Sequence, residues 1–180
     1  MDQGQWETIR PLVVDSCVSL FSADGTFVMS KGESSARQRT GDSMAGFVGI
    51  VSAQISGGIG LAMPVALIRR THPLYKSGGE PTERNQADWL CELTNQLAGR
   101  VKNKLLPYGI AFRISTPMAA SGKDLCTLVT QESRIAPLEF DLGGLPFYVD
   151  FTAHLTRGAI LRPELLAQGD NALEGDVLVF

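Results

Sequence analysis

The chain has 180 residues, of which 44% are hydrophobic and 19% charged, with a formal net charge of −3; this balance suits one folded domain with a substantial core. The slight acidity argues against nucleic-acid binding, which calls for a basic patch larger than the isolated pair Arg69-Arg70. No segment reaches the roughly 20 apolar residues of a bilayer span, and the first ten residues carry Asp2 and Glu7 without the apolar stretch of a secretory signal, so a cytoplasmic protein is expected.

Ile9, Leu12, Val13, Cys17, Leu20 and Phe21 recur at helical spacing and predict an N-terminal helix ending near Phe21, with Pro11 either kinking it or marking its true start. Ala23-Asp24-Gly25 reads as a turn and Thr26 to Met29 as a strand, followed by a polar loop from Ser30 to Asp42. Phe47 to Ile55 and Ile59 to Met63 are strand-like runs, and Ser56-Gly57-Gly58 between them predicts a hairpin turn. Pro64 fits the first turn of a short helix running to Arg70, and Ser77 to Gln86 reads as a second polar loop.

A long helix is predicted from about Ala87 to Leu106, stopped by Pro107 and Gly109. The segments Ile110 to Thr116, Leu125 to Thr130, Ala136 to Asp141 and Leu145 to Leu155 read as strands, with Gly143-Gly144 turning between the last two and Asp176 to Phe180 as a terminal strand. No repeat or composition break divides residues 1–180. The architecture expected is a single α/β (α+β) domain, an antiparallel-rich sheet with long helices packed on one face.

In the long helix, Leu90, Leu93, Leu97, Val101 and Leu105 fall on one arc, extended by Cys91, Thr94 and Ala98. Asp88, Glu92, Asn95, Gly99, Lys102 and Asn103 lie opposite. Glu92 and Asn95 are three apart, so their side chains project together. Gly99 stands in the helix interior, where glycine costs about 1 kcal/mol against alanine. An ordinary solvated face with a tolerated glycine would carry the same pattern.

Cys17, Cys91 and Cys126 are widely spaced among apolar residues and read as buried, reduced thiols without a disulfide. His72 and His154 lack zinc-ligand spacing, so no metal site of the chain's own is expected. Ser121-Gly122-Lys123-Asp124 is not a phosphate loop, because Pro117 stands where its first glycine is required.

Asp88, Glu92 and Asn95, with Pro117 a further 22 positions on, resemble the active-site signature of the CheC/CheX/FliY phosphatases: an acid or serine, then glutamate, asparagine and a distant proline. The segment from Glu92 to Lys102, the Gly-Gly hairpin before it and the strand leading to Pro117 are similar to the CheX-like branch, as is the single copy of the signature. The resemblance spans roughly Phe47 to Leu155.

That resemblance implies hydrolysis of the aspartyl phosphate of a CheY-like response regulator, in chemotaxis or related two-component signalling. Asn95 would orient the attacking water, since a neutral amide both donates and accepts. Glu92 would dock the receiver's lysine. Asp88 would support Glu92 or contact the receiver, although a role at the helix N-terminal dipole explains it equally. Gly99 would permit close approach, and Pro117 would shape the adjoining loop. No cofactor of the chain's own is implied; Mg2+ belongs to the receiver. A homodimer joined through sheet edges would suit the family. The alternative in the same fold is a non-catalytic receiver-binding or scaffold module, against which the intact Asn95 speaks. An unrelated small-molecule-binding domain would instead show a deep pocket near the sheet.

Overall fold

A computed structural model describes residues 3–22, 27–34, 41–125 and 137–156. Helix α1 runs over Gln3–Phe21 and passes through Pro11, so the proline lies inside the helix. Its buried side chains, Trp6, Ile9, Val13, Cys17, Leu20 and Phe21, form the stripe that the sequence spacing requires.

The strands are β1 (Val28–Glu33), β2 (Asp42–Val51), β3 (Ile55–Pro64), β4 (Arg113–Ile114), β5 (Met118–Lys123), β6 (Leu138–Leu142) and β7 (Leu145–Leu155). They form one sheet in the order β1-β6-β7-β3-β2-β4, with β5 also on β2, and every pairing is antiparallel. The remaining helices are α2 (Val65–Thr71), α3 (Pro73–Lys76) and α4 (Glu83–Leu105). The expected antiparallel-rich sheet with packed helices is therefore the observed fold.

The core lies between the sheet and α1 and α4. Alternate residues of β7, Phe147, Val149, Phe151, Ala153 and Leu155, are all buried, as a sheet with one covered face demands. Aromatic rings tie α1 to this face: Trp6 stacks on Phe151 at 6.1 Å, and Phe21 meets Phe147 at 4.9 Å.

Several boundaries differ from those the sequence suggests. Ser30 to Glu33 belong to β1, an edge strand with a register shift between Ser30 and Gly32, and Asp42 opens β2. An edge strand keeps polar side chains in water, so no apolar alternation marks it. The hairpin between β2 and β3 turns at Ser52–Gln54, where the Ser52 hydroxyl accepts from the amides of Gln54 and Ile55 at 3.1 and 3.2 Å. Gly57 and Gly58 lie within β3 instead. Gly57 is needed there because a Cβ would collide with the Thr152 carbonyl on β7.

Strand β5 was not anticipated, because Ala119-Ala120-Ser121-Gly122 offers no β-branched residue. Of the expected strand from Ile110 to Thr116, only Arg113–Ile114 pairs. Leu125 lies outside any strand. The rest of the strand read from Leu125 to Thr130, the turn at Ala23–Gly25 and the terminal strand at Asp176–Phe180 fall outside the described residues. The Gly143-Gly144 turn forms as expected, with φ of 60° and 84°.

Strands β4 and β5 run along the same edge of β2 but in registers one residue apart. Ile114 pairs with Ile50 and Met118 with Phe47, so residues 115–117 stand opposite 48–49. This is a bulge. The Gly49 amide donates to the Ser115 hydroxyl at 2.8 Å, and the Ser115 amide donates to the Gly49 carbonyl at 2.9 Å. Pro117 sits in this interruption, a position that suits a residue without an N–H.

Candidate functional site on helix α4

Helix α4 begins four residues earlier than its apolar stripe suggests. Thr82 caps it: its hydroxyl accepts from the Asn85 amide at 3.2 Å, and the Asn85 side chain accepts from the Thr82 amide at 3.0 Å. Lys102 and Lys104 complement the dipole in the last turn. Leu90, Leu93, Leu97, Val101 and Leu105 are buried, each stabilising the fold by roughly 1.5–3 kcal/mol relative to exposure. The Lys104 ammonium lies 2.5 Å from Asp15 of α1, and Arg100 donates to Ser19 at 3.4 Å. The helix is thus fixed along its length with one face outward.

That face carries Asp88, Glu92 and Asn95, all exposed, with Gly99 half-buried one turn beyond Asn95. A Cβ on Gly99 would meet nothing within 4 Å. The glycine is therefore not demanded by packing within the described chain. Pro117 is half-buried on the neighbouring sheet edge, between two strands that both contact α4.

One residue that the sequence reading did not single out, and one that it placed on the buried arc, belong to this face. Gln96 donates from Nε2 to Glu92 Oε1 at 2.7 Å; the four-residue spacing was its only signal. Cys91 lies on the ridge between Asp88 and Asn95. It is half-buried, not fully buried as expected, and its thiol pKa is raised by burial and secondarily by the Asp88 carboxylate. Cys17 is fully buried with a pKa pushed well above the ordinary thiol value, and both are free thiols. Cys126 falls outside the described residues.

The flank of α4 beyond Gln96 is not flat. An open groove of about 750 Å³ runs beside Trp89, Leu93 and Gln96, walled by Phe21 of α1 and Arg70 and Pro73. Arg70 is committed to the wall, donating to the carbonyls of Leu142 and Gly143. His72 caps α3 by accepting from the Leu74 amide at 3.0 Å, and its ring meets Trp89 edge-on at 5.8 Å. Among the described residues, no cluster of three or more His, Cys, Asp or Glu side chains could hold a metal ion.

Fold and face together define an antiparallel α/β domain that presents an acid–amide pair on one exposed helix. The family model described as chemotaxis phosphatase CheX matches residues 44–140, more than half of the chain, and the chain belongs to that family. Among solved structures it is similar to the chemotaxis protein CheX from Vibrio vulnificus, at 22% identity and a TM-score of 0.68, over 81% of this chain and 96% of that one. It is also similar to a CheX from Desulfovibrio desulfuricans, at 18% identity and a TM-score of 0.69, over 82% and 99% of the two chains. A third, from Borrelia burgdorferi, is the CheX chain of a CheX–CheY–BeF3–Mg complex, at 18% identity and a TM-score of 0.61, over 82% and 96%. At these identities the likeness establishes the fold. No curated protein sequence matches the chain significantly.

Proposed function

We propose that this chain hydrolyses the aspartyl phosphate of a CheY-like receiver domain, acting in the cytoplasm as a single domain over residues 1–180. The observation that carries the reading is the outward pair Glu92 and Asn95, on a helix fixed by its buried stripe, within a chain of the CheX family. The Borrelia relative, whose complex includes CheY, BeF3 and Mg2+, supports the choice of partner. Beryllofluoride chemically stands in for a phosphoryl group.

Phosphoryl transfer calls for positioning and charge stabilisation more than for covalent participation by the catalyst. The receiver brings the phosphoaspartate, a lysine and Mg2+, which neutralises charge on the phosphoryl oxygens. What the helix adds is an amide. Asn95 accepts a hydrogen bond from water and directs it at phosphorus, and it adds no negative charge beside the phosphate. Glu92 is an exposed carboxylate, suited to accept from the receiver lysine and poorly suited to approach a phosphate. Asp88 extends the acidic docking strip by one turn. Gly99 leaves room for the receiver's backbone, and Pro117 holds the adjoining edge of the sheet in shape.

The test is inorganic phosphate release from phosphorylated receiver domains of the same cell, with and without this protein. Accelerated release that requires Asn95 supports hydrolysis. Binding to a receiver without acceleration would replace it with the scaffold reading.

A further inference from the structure

We propose that Gln96 is a positioning residue for Glu92, holding its carboxylate in the orientation that meets the receiver; the inference rests on the receiver-phosphatase reading above. A glutamate on an exposed helix face samples several rotamers, and ordering it on docking costs free energy. In this chain that freedom is already restricted. Gln96 stands one turn further along α4 and donates from Nε2 to Glu92 Oε1 at 2.7 Å. A carboxylate offers about four acceptor positions on its two oxygens. The bond therefore orients the group while Oε2 remains available to an incoming cationic donor.

The identity of the partner matters as much as its place. A neutral amide fixes the carboxylate without neutralising it, whereas a lysine at the same position would compete with the receiver's own. The helical step does the rest. Successive residues differ by about 100° around the axis, so Asn95 and Gln96 fall on opposite flanks of Glu92. Asn95 leans towards Cys91, and Gln96 towards the groove beside Trp89 and Leu93 that it helps to line. Glu92 is thus bracketed by two amides, one aimed at the reacting water and one at the carboxylate.

The experiment is a double-mutant cycle read as KM and kcat separately on a phosphorylated receiver. Gln96→Leu keeps the bulk and removes the donor; it should raise KM about 1.5- to twofold, the scale of one such pair on a helix surface, and leave kcat within error. In a Glu92→Ala background the same substitution should change nothing further, an outcome that a merely structural role for Gln96 would not produce. Gln96→Lys should raise KM more than Gln96→Leu, and the excess should shrink with added salt. Independently of activity, NMR couplings should show one dominant Glu92 χ1 rotamer in the wild type and averaging in Gln96→Leu. An unchanged or lowered KM in Gln96→Leu, full additivity with Glu92→Ala, or an unaltered Glu92 rotamer would overturn the proposal alone. A wild-type protein inactive on every receiver would overturn the functional reading and the proposal with it.

Discussion

The Thr94 hydroxyl fills the space in which a Cβ on Gly46 would have to stand. Thr94 is fully buried, and its hydroxyl also donates to the Leu90 carbonyl at 2.7 Å, so it cannot easily withdraw. This contact sets how closely α4 rides on β2. Gly46→Ala should therefore destabilise the protein by about 1–3 kcal/mol through overpacking. Gly46→Ala combined with Thr94→Ala should be less destabilised than the two single losses added together. Urea denaturation midpoints of the four proteins check both statements.

Gly99 gives the opposite expectation for stability. With open space where its Cβ would be, Gly99→Ala should stabilise the helix by about 0.5–1 kcal/mol. If the receiver's backbone approaches at this point, the same substitution should slow phosphate release. A rise in stability with undiminished activity would remove Gly99 from the docking face.

Asn95 and Glu92 should separate kinetically. Asn95→Ala should lower the maximal rate of phosphate release by roughly two orders of magnitude with receiver affinity largely kept, because a preorganised transition-state contact is lost. Glu92→Ala should weaken affinity as well as turnover. Chelating Mg2+ should abolish activity in every variant, since the ion belongs to the receiver. Single-turnover decay of the phosphorylated receiver, measured across protein concentrations, separates the two parameters. Equal maximal rates for Asn95→Ala and wild type would eliminate the water-orienting role.

The thiols predict a pH dependence. The folded-state pKa of Cys17 is raised by burial, so the fold favours the neutral thiol. That contribution is complete below the unfolded thiol value, about 8.5, and is lost as pH climbs from there towards the folded value. Stability should fall over this alkaline range, and Cys17→Ala, although less stable at neutral pH, should show a shallower fall. Cys91 responds also to Asp88. In a Cys126→Ser background, Asp88→Asn should make Cys91 modify faster at fixed mildly alkaline pH. An unchanged labelling rate would show that the carboxylate does not act on the thiol.

The sequence carried the parts of this molecule that rest on periodic burial. The stripes of α1 and α4 and the alternation of β7 are where apolar spacing placed them, because each buries one face against the same core. It was silent where local chemistry or distant contacts decide. The start of α4 lies in a polar turn legible only as the pair Thr82 and Asn85. Gly57 looked like a turn residue, yet its strand position is dictated by Thr152, which lies far along the chain. The candidate site divides in the same way. The outward placement of Glu92 and Asn95 follows from helical spacing, whereas the Gln96 bond and the half-exposed Cys91 depend on rotamers and neighbouring elements that spacing does not specify.

The bulge at residues 115–117 acts as a parity switch for the whole edge of the sheet. Continued in the register of Ile114, the strand would turn Met118 inward beneath α4. With one extra residue it turns Met118 outward, where the side chain is 67% exposed, and sets Ala119 beside Gly46. Two of the smallest side chains thus line the floor on which the helix rests, and Ser121 on the same face reaches Glu83 at 3.0 Å. The register across this stretch consequently constrains helix α4 more tightly than its composition does. Deleting one residue between Ile114 and Met118 would remove the bulge and keep the methionine opposite Phe47. Smoothing the bulge out at unchanged length would instead bring Met118 opposite Gly46, wedge it beneath the helix and tilt Glu92 and Asn95 away from a docked receiver, with every side chain of α4 unaltered.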